Sequence, residues 1–139
     1  MNLRNIILDK DGVTKLNDFS SCVSIPEGET FVKLSSPFVK GASLYFDDNY
    51  LINHVVSEKT DAFGFGIFMQ KLITGEEKFH PKMGEISKEE RSRMEAFIVL
   101  SERCMGDRGE VPQVVEVARE LKGFLRNATS STESPKSTL

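Results

Sequence analysis

The sequence has no tryptophan, two tyrosines, two cysteines and two histidines. Structural zinc takes three or four Cys or His ligands at short spacings, and Cys22, Cys104, His54 and His80 make no such pair, so no metal is expected. Nor do two cysteines frame a disulfide scaffold, and two free thiols in a reducing compartment are expected. Long apolar runs are missing as well. No stretch reaches the roughly 18 apolar residues of a membrane span, and residues 1–11 lack the apolar core of a secretory signal. An excess of one charge is the last absence. Eighteen basic and 21 acidic residues leave a net charge of -3, without the cationic field that drives nucleic-acid binding. These absences point to a cytoplasmic protein with no nucleic-acid partner and no direct membrane insertion. Asn127-Ala128-Thr129 has the glycosylation pattern but, without a secretory signal, reads as chance.

What is present fits one globular domain or a piece of one: 139 residues, 39% hydrophobic and 28% charged. Apolar Ile6-Ile7-Leu8 arrives almost at once, so the chain reads as opening inside a domain. Asp11-Gly12 between Ile6-Ile7-Leu8-Asp9 and Val13-Thr14-Lys15-Leu16 is a hairpin signal. Residues 18–50 show no sustained period and read as a long functional loop. Residues 57–72 read as a helix capped by Ser57, with Gly75 past its end. Its body, Ala62-Phe63-Gly64-Phe65-Gly66-Ile67-Phe68-Met69, is apolar on all sides and should be buried on all sides, its glycines tolerated where another segment packs close.

Residues 76–85 form a polar connector containing Pro81. Ser87-Lys88-Glu89-Glu90 has capping-box spacing and opens a helix to about Cys104, with Met94, Phe97, Ile98, Ser101, Cys104 and Met105 on one face. Glu89, Glu90, Arg91, Arg93 and Glu95 read as its solvated face. A last helix starts near Pro112, which suits a first helical position, and carries Val114, Val117, Ala118, Leu121, Phe124 and Leu125 as its stripe. From Asn127 the composition turns to Ser, Thr, Pro and Lys, so residues 127–139 are expected to be a disordered tail after a domain over 1–126. The fold class expected is mainly α with a small β-hairpin.

Several motifs are familiar in this order. Asn5-Ile6-Ile7-Leu8-Asp9 is similar to the end of a protein-kinase catalytic loop, and Asp18-Phe19-Ser20 stands where kinases carry Asp-Phe-Gly. Ser57-Glu58-Lys59-Thr60-Asp61-Ala62-Phe63-Gly64-Phe65-Gly66 resembles the buried central helix of plant receptor-like kinases, with Ile73-Thr74-Gly75 closing it. Val114-Val115-Glu116-Val117-Ala118-Arg119-Glu120-Leu121 matches the pattern of their last helix. Cys104-Met105-Gly106-Asp107-Arg108-Gly109-Glu110-Val111-Pro112 narrows the resemblance to plant receptor-like cytoplasmic pseudokinases, the wall-associated-kinase-like and effector-decoy-related group. The resemblance covers residues 1–125, is interrupted between Gly75 and Ser87, and implies a truncated kinase-like C-terminal lobe.

Phosphoryl transfer needs bound metal, a lysine-supported nucleotide and a carboxylate that positions the acceptor. The resemblance places Asn5 and Asp18 at the two metal-holding positions, as remnants of an incomplete Mg-ATP site, so no cofactor is expected. Its catalytic aspartate, five positions before Asn5, falls ahead of Met1, as do the glycine-rich loop and strand lysine. Ser20 replaces a glycine and restricts that turn. At the end of the activation segment, in Asp47-Asp48-Asn49, Asn49 stands for a glutamate, and Val111 stands for the arginine that pairs with it. Losing both partners of a buried pair is far less costly than losing one. Asp61 occupies the position that tethers the catalytic loop, or simply complements its helix dipole.

Phe31, Ser35, Ser36 and Phe38, on the long loop, are the expected partner contacts, while Tyr45 and Phe46 are expected to pack on their own helices. The resemblance implies docking on other receptor-like kinases while an immune receptor of the nucleotide-binding leucine-rich-repeat class grips the opposite side, with a place at the plasma membrane only through partners. The expected function is therefore an inactive adaptor or decoy; a gene remnant, or a C-lobe served by a separate N-lobe, are the alternatives. In a complete kinase a helix ahead of the catalytic loop covers the central helix. If the large side chains from Phe63 to Met69 lose half their cover, the cost is about 4–8 kcal/mol, enough to leave the chain marginal or partner-dependent.

Overall fold

Cap positions set where the helices begin. In the computed structural model, which describes residues 5–36, 43–75, 87–107 and 109–130, the elements run β1 (Ile6–Leu8), β2 (Thr14–Leu16), β3 (Val32–Lys33), a 3-10 turn (Ser43–Tyr45), α1 (Asp48–Asn53), β4 (Val55–Val56), α2 (Glu58–Thr74), α3 (Lys88–Met105) and α4 (Val114–Ser130). The Ser57 N–H donates to Thr60 Oγ1 at 3.2 Å, opening α2. Ser87 and Glu90 close a capping box, with Glu90 N–H donating to Ser87 Oγ at 3.1 Å and Ser87 N–H to Glu90 Oε2 at 2.9 Å. These two N–H groups, orphaned without caps, explain why α3 starts where the sequence places it.

Pro112 does not begin α4. It lies buried just ahead, and the N–H of Gln113, the residue before α4, donates to Glu116 Oε2 at 2.8 Å. Glu116 completes the turn with a side chain that proline's fixed φ had overshadowed in the sequence. At the other end α4 continues to Ser130, past the boundary set by composition at Asn127. Asn, Ala, Thr and Ser at 127–130 prolong an established helix at modest cost. Residues 131–139 and the connector over 76–85 lie outside the described residues.

The stretch over 18–50 holds more structure than its sequence announces. β3 pairs antiparallel with β4, Val32 opposite Val56 and Lys33 opposite Val55. A two-residue strand leaves no local period, and its partner lies more than twenty positions away. α1 is six residues long, capped by Asp47 ahead of it and followed by His54 in the left-handed region at φ 58°.

α2 is the centre of the fold, crossing α3 along its length. The crossing is closest at Gly66. A Cβ there would lie 2.8 Å from Cys104 Cβ, 2.9 Å from Met105 Cγ and 3.0 Å from the Ser101 carbonyl oxygen. Met69, Leu100, Cys104 and Val117 form the buried core, with Phe65, Phe97, Leu121 and Phe124 packed around it. Leu100 replaces Met94 in the expected stripe of α3, since Met94 is 42% exposed. The buried side of α3 is thus Phe97, Leu100, Ser101 and Cys104 at helical spacing. Fully burying Met69 and Leu100 contributes about 1.5–3 kcal/mol each.

α2 is not enclosed on every side. Ala62, Gly64, Gly66 and Met69 are buried, Phe63, Phe65, Ile67 and Phe68 only half-buried, and Leu72 is exposed. Gly66 meets α3, and among the described residues Phe63, Ile67 and Phe68 keep part of their surface exposed.

Gly66→Ala should destabilise the chain by about 1–3 kcal/mol, because overpacking outweighs the roughly 1 kcal/mol gain in helix propensity. Gly123→Ala, on α4 with nothing within 4 Å of the added Cβ, should instead stabilise by about 0.5–1 kcal/mol. Urea midpoints shifted in the same direction for both would contradict the packing. Burial pushes the Cys104 thiol up to about 11, whereas Cys22 is exposed. At pH 8, thiol titration should therefore show one fast and one protected cysteine. Since the folded value exceeds the ordinary 9.0, stability should fall as pH rises from about 9 through 11.

Candidate functional site

A five-residue loop built around one carboxylate closes the N-terminal hairpin. Asp9 Oδ1 accepts the N–H groups of Asp11 and Val13, both at 2.9 Å, while Oδ2 meets Lys15 Nζ at 2.8 Å. The Lys15 ammonium first, then the Val13 N–H, hold the Asp9 carboxyl below its usual range. Gly12 supplies the left-handed corner at φ 76°. The strands then pair Ile6 with Leu16, Ile7 with Lys15 and Leu8 with Thr14.

This register brings Asn5 and Asp18 together across 13 positions of sequence. The Asn17 N–H donates to the Asn5 carbonyl at 2.7 Å, and Asn5 Nδ2 donates to the Asp18 carbonyl at 3.3 Å. The Asn5 amide thus braces the loop backbone. Asp18 takes φ 62°, a left-handed conformation that Asp tolerates better than most residues. Its carboxylate is engaged next door: Oδ1 accepts Ser20 N–H at 3.1 Å and Ser20 Oγ–H at 2.5 Å. The Ser20 hydroxyl, then its N–H, lower the Asp18 carboxyl from its usual value. The backbone restriction expected at Ser20 is met differently, because the positive φ falls on Asp18 and the serine hydroxyl becomes a ligand of the carboxylate. The Asp-x-Ser spacing carried that signal, since Asp accepts readily from the backbone two residues on. Among the described residues no group of three or more His, Cys, Asp or Glu is arranged to hold a metal ion.

The other predicted positions lie elsewhere. Asp47 caps α1, its Oδ1 accepting the Tyr50 N–H at 2.8 Å. Asp48 is exposed in the first turn, and Asn49 Oδ1 accepts Asn53 Nδ2 at 2.7 Å. With Ile52, Phe63, Met105 and Asp107 they line a cleft of about 570 Å³ between α1, α2 and the end of α3. Val111 is buried, 6% exposed, and an aliphatic side chain there needs no ionic partner. Asp61 stands exposed in the first turn of α2, where its charge complements the helix N-terminus.

Of the loop residues, Phe31 is 50% exposed, and Ser35 and Ser36 are exposed beyond β3. Phe38 lies outside the described residues. Tyr45 is buried beneath Lys71, whose Nζ stands 5.4 Å from the ring centroid, and Phe46 stacks on Tyr50 at 4.2 Å, so both aromatics pack on their own helices as expected. On α3, Glu89, Glu90, Arg91 and Glu95 are exposed. Glu90 and Arg93 also edge an apolar groove of about 510 Å³ against α4, lined by Met94, Phe97, Leu121, Phe124 and Leu125, which the charge pattern concealed.

Comparison with known proteins finds relatives over nearly the whole chain. The chain is 55% identical to the non-functional pseudokinase ZRK15 of Arabidopsis thaliana over 94% of its own length and 46% of that relative. It is 47% identical to the inactive serine/threonine-protein kinase ZRK12 of the same plant, over 97% of this chain and 40% of the relative. The chain belongs to the ZRK pseudokinase family. It spans about half the length of the curated relatives it matches. No protein-family model matches it. Another ZRK relative, ZRK4 of Arabidopsis thaliana, 34% identical over 88% of this chain and 47% of that protein, is named a serine/threonine-protein kinase without qualification. Names of both kinds occur in the family, so what this chain does has to be argued from its own residues. The helical architecture with two small antiparallel sheets is compatible with a kinase-like C-lobe fragment.

If Ser20 holds the Asp18 carboxylate, Ser20→Ala should raise the Asp18 pKa toward the ordinary 3.8. Carboxyl-carbon NMR titration checks this, and an unchanged midpoint would contradict the assignment. Because the folded value is lowered, the stability that Asp18 contributes is present above about pH 4 and lost as pH falls through the folded value.

Proposed function

We propose that this chain is a catalytically inactive kinase-like module that acts by binding, as an adaptor or decoy in receptor-like kinase and innate immune signalling. The observation that carries this reading is the engagement of the Asn5–Asp18 pair. The two groups that would hold magnesium ions brace the loop and cap Ser20, while the pair that closes a kinase activation segment is replaced by Asn49 and buried Val111. The names of ZRK15 and ZRK12 support the absence of catalysis. Partner contact falls to the segment over 18–50, where Phe31 offers an exposed aromatic anchor beside Ser35 and Ser36. The partners are other receptor-like kinases, with an immune receptor of the nucleotide-binding leucine-rich-repeat class on the opposite side. The setting is cytoplasmic, reaching the plasma membrane through those partners. No helix among the described residues is long and apolar enough to cross a membrane.

Co-precipitation of the tagged chain from plant tissue tests this. A receptor-like kinase should be captured, and Phe31→Ala should weaken that capture at least about 10-fold, the scale of a truncated interface anchor. Equal capture by the variant would remove Phe31 from the interface. Recovery of no kinase or receptor would leave the reading as a gene remnant.

A further inference from the structure

The hydroxyl groups of the described residues divide by what holds them. Ser20 Oγ donates to Asp18, Ser57 is a buried helix cap, Ser87 Oγ caps α3, and Ser101 Oγ donates to the Ile98 carbonyl at 2.7 Å while fully buried. Thr60 Oγ1 accepts from Ser57, and Thr74 Oγ1 donates to the Gln70 carbonyl at 2.9 Å. Ser36, like Ser35 and other exposed hydroxyl residues, differs from these. It is exposed, stands outside the β3–β4 ladder, and no hydrogen bond holds its hydroxyl among the described residues. The last rung near it is the Leu34 N–H donating to the His54 carbonyl at 2.8 Å, two residues earlier.

Among the described hydroxyl residues Ser36 alone is followed by proline. Proline at the next position has two consequences. Its ring biases Ser36 away from the helical region toward extended backbone, the form in which a peptide lies across a kinase active site. It also removes the N–H that would need an acceptor in the pocket for the residue after the phosphoacceptor, which a proline-directed kinase does not provide. The ladder that anchors this segment is two residue pairs long, so releasing it into another enzyme's cleft breaks few bonds.

We infer that Ser36 is a phosphoacceptor for a proline-directed serine/threonine kinase. In the transfer, Ser36 Oγ attacks the γ-phosphorus of Mg-ATP held by that kinase. The Oγ–P bond forms, the bond from phosphorus to the bridging oxygen of ADP breaks with its electron pair, and the hydroxyl proton passes to the kinase's carboxylate base. The product carries close to two negative charges where residues 31–36 otherwise hold only Lys33, so the segment changes sign from about +1 to about -1. This inference needs only Ser36 and its surroundings, and holds whether or not Phe31 is an interface anchor.

The test is incubation of the full chain with a purified proline-directed kinase and Mg-ATP, followed by mass spectrometry of the peptide containing Ser36. Ser36 should be phosphorylated, the label at that peptide should vanish in Ser36→Ala, and Pro37→Ala should slow it at least about 10-fold. Ser134 also precedes a proline, Pro135, and reports within the same tube that the kinase is active. Label on Ser134 alone, or equal labelling of Ser36 in Pro37→Ala, would each overturn the inference.

Discussion

The loop that leaves the N-terminal hairpin depends on how one carboxylate is occupied. Asp18 lies at the end of β2, in a left-handed conformation, with its Oδ1 bonded to both the N–H and the hydroxyl of Ser20. A carboxylate in that state is stabilised as an anion, yet its charge is spent on its own turn. On the other side the Asn5 amide nitrogen donates to the Asp18 backbone carbonyl. Strand register brings these two groups together, and local hydrogen bonds tie both to the loop after β2.

The helical part obeys a different constraint, close approach. Gly66 lets α2 settle against Ser101, Cys104 and Met105, and that contact orders the core of Met69, Leu100, Cys104 and Val117. α4 joins through Val117 and through Arg103, whose Nη1 reaches both carboxylate oxygens of Glu120 at 2.9 and 2.8 Å. That pair is largely exposed and contributes little to stability, fixing the register of the two helices more than their strength. Hairpin and helices are thus held by distinct physics. Polar satisfaction shapes the first, and apolar packing around a missing Cβ shapes the second.

Which features were legible in the sequence follows from range. The Ser87–Glu90 box, the Gly75 stop and the Asp-Gly hairpin act over a few residues, and each was readable. Asn5 and Asp18 were identifiable only through resemblance to kinases, because their proximity depends on strand pairing, not on spacing. β3 was invisible, being two residues long with its partner at Val55–Val56. Leu100 was missed because Met94 and Met105 are equally apolar, and only the position of α2 decides which side of α3 is buried. The role of Ser20 was overlooked since its replacement of glycine drew attention to the backbone and away from its hydroxyl.

The proposed inactive, binding role requires that the Asn5–Asp18 loop does not take up Mg-ATP. Thermal denaturation of the chain with and without millimolar Mg-ATP tests it most directly, since any ligand that binds only the folded form raises its midpoint. An unchanged midpoint is expected, because Asp18 and Asn5 are already engaged. A rise of several degrees that is lost in Asp18→Ala would contradict it.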